Sequence, residues 1–100
     1  MSRLDRATIA AALTEKLGAT PDPDGVVDLV TSQGRIAIAA AANEIDGAIA
    51  RLKPLPGLRY IAINGGDLFT ASPKTIGTKV GILDATGKVL KAADLPRAKV

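Results

Sequence analysis

Residues 35–52 read RIAIAAAANEIDGAIARL, and the interpretation of this stretch decides the fold. Ile38, Ala42, Ile45, Ile49 and Leu52 recur at steps of four, three, four and three residues. That spacing predicts one amphipathic helix from Arg35 to Leu52, with an apolar seam of the coiled-coil type sustained for two heptads. Alanine, the best helix former, fills positions 37, 39, 40, 41, 42 and 48 and lets another backbone approach closely. Gly47 weakens such a helix by about 1 kcal/mol relative to Ala. Two readings of the seam stand side by side: a core helix, or a helix that packs on copies of itself or on a partner. Lys53-Pro54-Leu55-Pro56-Gly57 ends the pattern, because proline cannot continue a helix and the residue before it avoids helical angles. The segment reads as a hinge between a helical first half and a strand-like second half.

Upstream, Ser2 and Asp5 resemble a capping box, Ile9, Leu13 and Leu17 follow at steps of four, and Gly18 reads as a stop. A first helix is therefore expected over about residues 3–17. Thr20–Gly25 is a turn with two prolines. Its Asp22-x-Asp24-Gly25 run lacks the ligand spacing of a calcium loop. Val26–Val30 fits a short strand or one helical turn. Downstream, Leu58–Ile63 reads as a strand and Asn64-Gly65-Gly66-Asp67 as a hairpin turn, with Leu68–Ala71 returning. Ser72–Gly77 is then a loop, Thr78–Leu83 a third strand, Asp84–Gly87 a second turn and Lys88–Leu90 a fourth strand. The expected architecture is α+β. Two N-terminal helices, the second long and Ala-rich, precede a small antiparallel β-hairpin or meander region. One domain spans residues 1–100, with a helical part (1–53), a β-hairpin part (58–91) and an extended tail (92–100).

Composition limits the chemistry. The chain has 100 residues and no Cys, His or Trp. That leaves no disulfide framework, no thiol nucleophile, no ordinary zinc ligand set and no imidazole base. Gly81–Lys88 differs from a phosphate-binding loop: five residues separate its glycines where four are needed, and Val89 stands where Ser or Thr belongs. Glu44 and Asp46 point about 200° apart on a helix and cannot share a substrate. Ser72 and Lys74 lack a third orienting group. The expectation is a protein that is no enzyme, with no catalytic, cofactor or metal residues and no small-molecule substrate. The longest apolar run, Ile36–Ala42, has seven residues, too few for a membrane span. The charged start Met1–Arg6 lacks the apolar stretch of an export signal.

Eighteen of the residues are Ala, while Ile, Leu and Val together supply 26. A core built on so few large side chains is thin, which favours a homo-oligomer. Net charge is +3, from −3 over residues 1–50 and +6 over residues 51–100. Such a division fits a solvated surface, a head-to-tail contact between copies, or a nucleic-acid contact through Arg59, Lys74, Lys79, Lys88 and Lys91.

Asp24-Gly25-Val26-Val27-Asp28, the run Ala41-Ala42-Asn43-Glu44-Ile45-Asp46-Gly47-Ala48-Ile49-Ala50-Arg51 and Leu55-Pro56 resemble the N-terminal part of small tailed-phage head–tail adaptor proteins of the Mu-like prophage kind. The resemblance covers residues 4–56. It implies a non-enzymatic virion protein, a head–tail connector or a capsid-associated component, located in the virion or the host cytoplasm and assembling with itself and with other virion proteins. The adaptors continue with helices rich in Tyr and Arg, where this chain reads as hairpins. The alternatives are a small regulatory or adaptor module that binds a protein partner, and a basic nucleic-acid-binding protein. Expected contact surfaces are the outward side of the 35–52 helix and the 64–67 hairpin, with Ile38, Ala41, Ile45, Ile49, Tyr60, Phe69 and Lys88 as interface candidates. Tyr60 and Phe69 are expected to face each other across one turn.

Overall fold

The computed structural model describes residues 4–32 and 34–94 and divides the Ala-rich stretch in two. It contains helices α1 (Arg6–Leu17), α2 (Ile45–Leu52) and α3 (Leu68–Thr75). The strands are β1 (Thr20–Pro21), β2 (Leu29–Thr31), β3 (Gly34–Ala39), β4 (Arg59–Ile63), β5 (Gly81–Leu83) and β6 (Val89–Lys91). They form one mixed sheet in the order β1 to β6. Strands β3, β4 and β5 run parallel, and the remaining neighbours pair antiparallel.

The fold is α+β, but the expected order of two helices and then hairpins is wrong. The long helix is replaced by strand β3, a 3-10 turn (Ala42–Glu44) and the eight-residue α2. Ile36 and Ile38 face one side of the sheet and Ala37 and Ala39 the other, all buried. A strand covered on both faces reads as a continuous apolar run, and when half of it is Ala it imitates a helix. The second half is corrected in the same way. Asn64 has φ −71, so it makes no left-handed hairpin turn; Gly65–Asp67 is a 3-10 turn that leads into α3. The expected returning strand 68–71 and loop 72–77 are this helix and its exit, with Leu68, Ala71 and Thr75 on its inner side at steps of three and four. Strand β5 is shorter than expected and parallel to β4.

Parallel neighbours require a crossover. Helix α2 supplies it between β3 and β4, and α3 between β4 and β5. Pairing of β3 with β4, from Arg35–Arg59 to Ala39–Ile63, joins the two halves of the sequence in one sheet. Residues 53–57 are therefore a helix-to-strand loop and not a hinge between subdomains.

One apolar cluster lies between the sheet and the crossover helices and includes Ile45, Ile49, Leu52, Ile61, Ile63 and Ile82. The other lies beneath α1 and includes Ile9, Leu13, Ile36, Ile38 and Leu83. Helix α1 starts at the Asp5 cap, whose carboxylate accepts the Thr8 amide at 2.8 Å, and stops at Gly18 with φ 66. Ser2 and the start of the expected helix at residue 3 lie outside the described residues. Residues 92–94 of the expected tail have no regular structure, and 95–100 also lie outside the described residues. The Asp84–Gly87 turn joins β5 to β6 as expected. On the α1 side, Tyr60 packs over the bare backbone of Gly81: a Cβ there would sit 2.7 Å from the ring and 2.6 Å from the Ala93 nitrogen.

Buried polar groups fasten these layers. Arg59 is 3% exposed, and its guanidinium donates to the carbonyls of Leu52, Lys53 and Thr78, which ties the exits of α2 and α3 to the start of β4. Asn64 ends β4. Its Nδ2 donates to the Leu4 and Ala40 carbonyls and its Oδ1 accepts the Leu4 amide, so the chain entering α1 is held to the ends of β3 and β4.

Candidate interaction surface

The interface candidates separate by burial. Ile38 and Ile45 are fully buried, and Ile49 is 5% exposed, so the expected outward seam is core. Ala41 is half-buried in the turn before α2. Tyr60 lies on the α1 face of the sheet and Phe69 on a helix covering the opposite face, so they do not pair across a turn. Phe69 and Lys88 are exposed.

Phe69 is the anomaly. It is the chain's one Phe and is 91% exposed, and Ile76, at the end of the same helix, is 71% exposed. Seven residues apart, they lie within about 20° of each other around the helix axis. Pro73, also exposed, lies between them. Lacking an N–H, it leaves the Phe69 carbonyl without its helical donor. The three side chains form an uncharged apolar stripe. Lys74 lies about 140° round from Phe69 and bonds Asp46 on α2 at 3.0 Å. The stripe therefore occupies the flank of α3 turned away from α2. On that side Lys91 of the outermost strand β6 reaches Thr75 Oγ1 at 2.7 Å, and Leu90 of the same strand packs against the cluster under the crossover helices. The spacing that marks the stripe was present in the sequence but was hidden by the reading of 64–71 as a hairpin.

Charges sit at the helix ends of the crossover face. Glu44, Asp46 and Asp67 lie at the starts of α2 and α3 and Lys53 and Lys74 at their ends, but Lys74 reaches Asp46 at 3.0 Å, so the two signs meet and are not separated along the face. Each sign lies at the helix terminus whose dipole favours it. Lys79 adopts φ 64, and its ammonium lies 4.0 Å from Asp94. Of the cations expected to contact phosphate, Arg59 is buried, Lys74 and Lys79 are ion-paired and Lys91 is hydrogen-bonded, which leaves Lys88 exposed.

The other polar groups considered in the sequence are bound within the fold. Glu44 and Asp28 both bond Arg6, and the second Asp28 oxygen accepts the Ile38 amide. Amides of Val27, Asp24 and Val26 bond Asp22, hold its carboxyl below the usual range and organise the loop. Hydrogen bonding by Thr8 lowers Asp5. Partial burial raises Asp84, but bonds from Thr86 and the Lys88 amide outweigh it, so its net direction is down. Among the described residues no group of three or more acidic side chains is placed to hold a metal ion.

A cavity of about 230 Å³ opens under the C-terminal end of α1, between Leu17, Ser32, Ile36, Tyr60, Leu83 and Val89. It is smaller than the roughly 300–1,000 Å³ of ordinary ligand pockets. No helix of the described residues is long and apolar enough to cross a membrane. No protein-family model matches this chain, and neither a curated protein nor a solved structure matches it.

Proposed function

We propose that this is a non-enzymatic structural protein that works through contacts between folded chains. The observation that carries the reading is the exposure of Phe69 and Ile76 on one flank of α3. Burying a side chain of this size stabilises by about 1.5–3 kcal/mol, and here two of them stand in water on one flank of a single helix. Aromatic residues in such positions are the usual anchors of protein interfaces. The setting we propose, a phage particle, rests on the sequence resemblance alone. The nucleic-acid reading draws little support from cations of which Arg59 is buried, Lys74 and Lys79 are engaged in ion pairs and Lys91 in a hydrogen bond.

The test is solution mass by light scattering across concentration, with refractive-index detection because one Tyr and no Trp absorb little. The wild type is expected to rise above the 10.2 kDa of one chain as concentration increases. Phe69→Ser with Ile76→Ser should remain at that mass. A wild-type chain that keeps the single-chain mass at every concentration overturns the proposal.

A further inference from the structure

We propose that the cavity beneath the end of α1 binds a small monocarboxylate with an apolar body of about six to eight carbons. The site lies on the face of the sheet opposite to Phe69 and Ile76, so it stands apart from the contact proposed above. Incomplete cover of the sheet explains the cavity. Six strands about 4.8 Å apart span about 24 Å, and a helix with its side chains is about 10–12 Å across. Two helices pack on the crossover face, but among the described residues α1 alone packs on the other, and it stops at Gly18. Beside its last turn, Ile36, Tyr60 and Leu83 from three neighbouring strands form an apolar floor. Leu17 and Val89 stand at the rim, 38% and 52% exposed, and a bound hydrocarbon would cover them.

Three properties of the lining select the ligand. The first is size. An apolar cavity of about 150 Å³ admits benzene, so the 230 Å³ here admits roughly ten non-hydrogen atoms. The second is charge. Lys16 contributes the one charged side chain of the lining and makes no ion pair among the described residues. One cation with no acidic neighbour in the lining balances one carboxylate and repels an amine. The third is hydrogen bonding. Ser32 and Tyr60 bring hydroxyls that can donate to carboxylate oxygens, and the Tyr60 hydroxyl has no partner among the described residues. Lys16 is exposed, so its charge contributes only about two- to fivefold in affinity and the apolar body supplies the rest. For about ten atoms, a Kd on the order of 0.1–1 mM is expected.

Octanoate has this size and charge and is the probe. Nitrogen-15-labelled protein is titrated with octanoate, octanol or octylammonium at constant ionic strength and followed by amide NMR. Octanoate is expected to shift the signals of residues 16–18, 31–32, 83 and 87–89, to alter Tyr60 emission and to bind more tightly than octylammonium. Lys16→Met keeps the aliphatic stem and removes the charge. It should weaken octanoate about two- to fivefold and leave octanol unchanged, while Lys16→Glu should reverse the order of octanoate and octylammonium. Circular dichroism checks that both variants are folded. Absence of shifts at about 10 mM octanoate overturns the site, and so do shifts confined to residues 69–76. If octanoate and octylammonium bind alike and Lys16→Met changes neither, the carboxylate assignment is wrong. None of these outcomes bears on solution mass, so the assembly reading stands or falls separately.

Discussion

Asn64→Asp separates the observed fold from the hairpin that its sequence suggests. Asn64 is 8% exposed and makes three hydrogen bonds: Nδ2 to the Ala40 carbonyl at 2.9 Å, Nδ2 to the Leu4 carbonyl at 3.1 Å, and Oδ1 from the Leu4 amide at 3.0 Å. Aspartate keeps the acceptor and loses both donors. A carboxylate oxygen then faces two carbonyl oxygens. Each lost bond costs about 1–1.5 kcal/mol, and stranding a buried acceptor adds to that. Leu4 is 37% exposed, so water rescues part of its backbone. The sum is about 2–4 kcal/mol, a large part of the roughly 5–15 kcal/mol that holds a domain together. Urea unfolding followed by circular dichroism should show a midpoint lowered by about 1–2 M. In an Asn-Gly hairpin turn, Asp is as acceptable as Asn. A loss under about 0.5 kcal/mol would therefore refute the strand-end role given to Asn64.

Arg59→Lys should cost about 2–4 kcal/mol in the same assay, since one ammonium cannot reach the Leu52, Lys53 and Thr78 carbonyls together; a neutral result would contradict the buried clamp. Leu52→Ala, at a fully buried site, should cost about 2–5 kcal/mol, while Phe69→Ser should stay within about 0.5 kcal/mol because the ring supports nothing inside the fold; equal costs would place Phe69 in the core. Asp5, Asp22 and Asp84 have folded pKa values below their unfolded ones, so their stabilisation is complete above the unfolded range near pH 4 and is lost as pH falls through the lower folded values. Thermal melts from pH 6 to pH 2 should show the loss concentrated below about pH 4, and a melting temperature that is flat to pH 2 would oppose it. Gly81→Ala should destabilise, because its Cβ would meet the Ala93 nitrogen at 2.6 Å and the Lys91 carbonyl at 2.7 Å; unchanged stability would deny that close approach.

The elements that were legible in the sequence are those with local chemical punctuation. The stripe of Ile9 and Leu13 and the Gly18 stop mark α1, although Asp5, read as the box partner of Ser2 inside the helix, is itself the N-cap and the helix starts at Arg6; the Asp84–Gly87 turn joins β5 to β6. What was illegible depends on partners distant in the chain. Ile36 and Ile38 belong to a strand because β2 and β4 flank it and helices cover both faces, and none of that is encoded in the spacing of Ile38, Ala42 and Ile45. Asn64-Gly65-Gly66-Asp67 carries the residues of a tight turn, yet the Asn64 side chain is claimed by Leu4, sixty residues away. Once that turn is misread, α3 becomes a strand and a loop, and the Phe69–Ile76 stripe disappears from view. The candidate surface was legible only as individual residues, Phe69 and Lys88, and not as a face.

Tyr60, lying across Gly81, gives the molecule a one-sided optical reporter. With no Trp in the chain, ultraviolet emission comes from this single ring, which senses the layer beneath α1 and is screened by the sheet from the layer that holds α2 and α3. The amide signal, by contrast, sums over all three helices. During unfolding the two readouts follow different sides of a sheet one strand thick, whose middle strands β3, β4 and β5 contribute side chains to both clusters. Shared strands couple the layers mechanically, so emission and ellipticity should change along the same curve, the signature of a single cooperative unit.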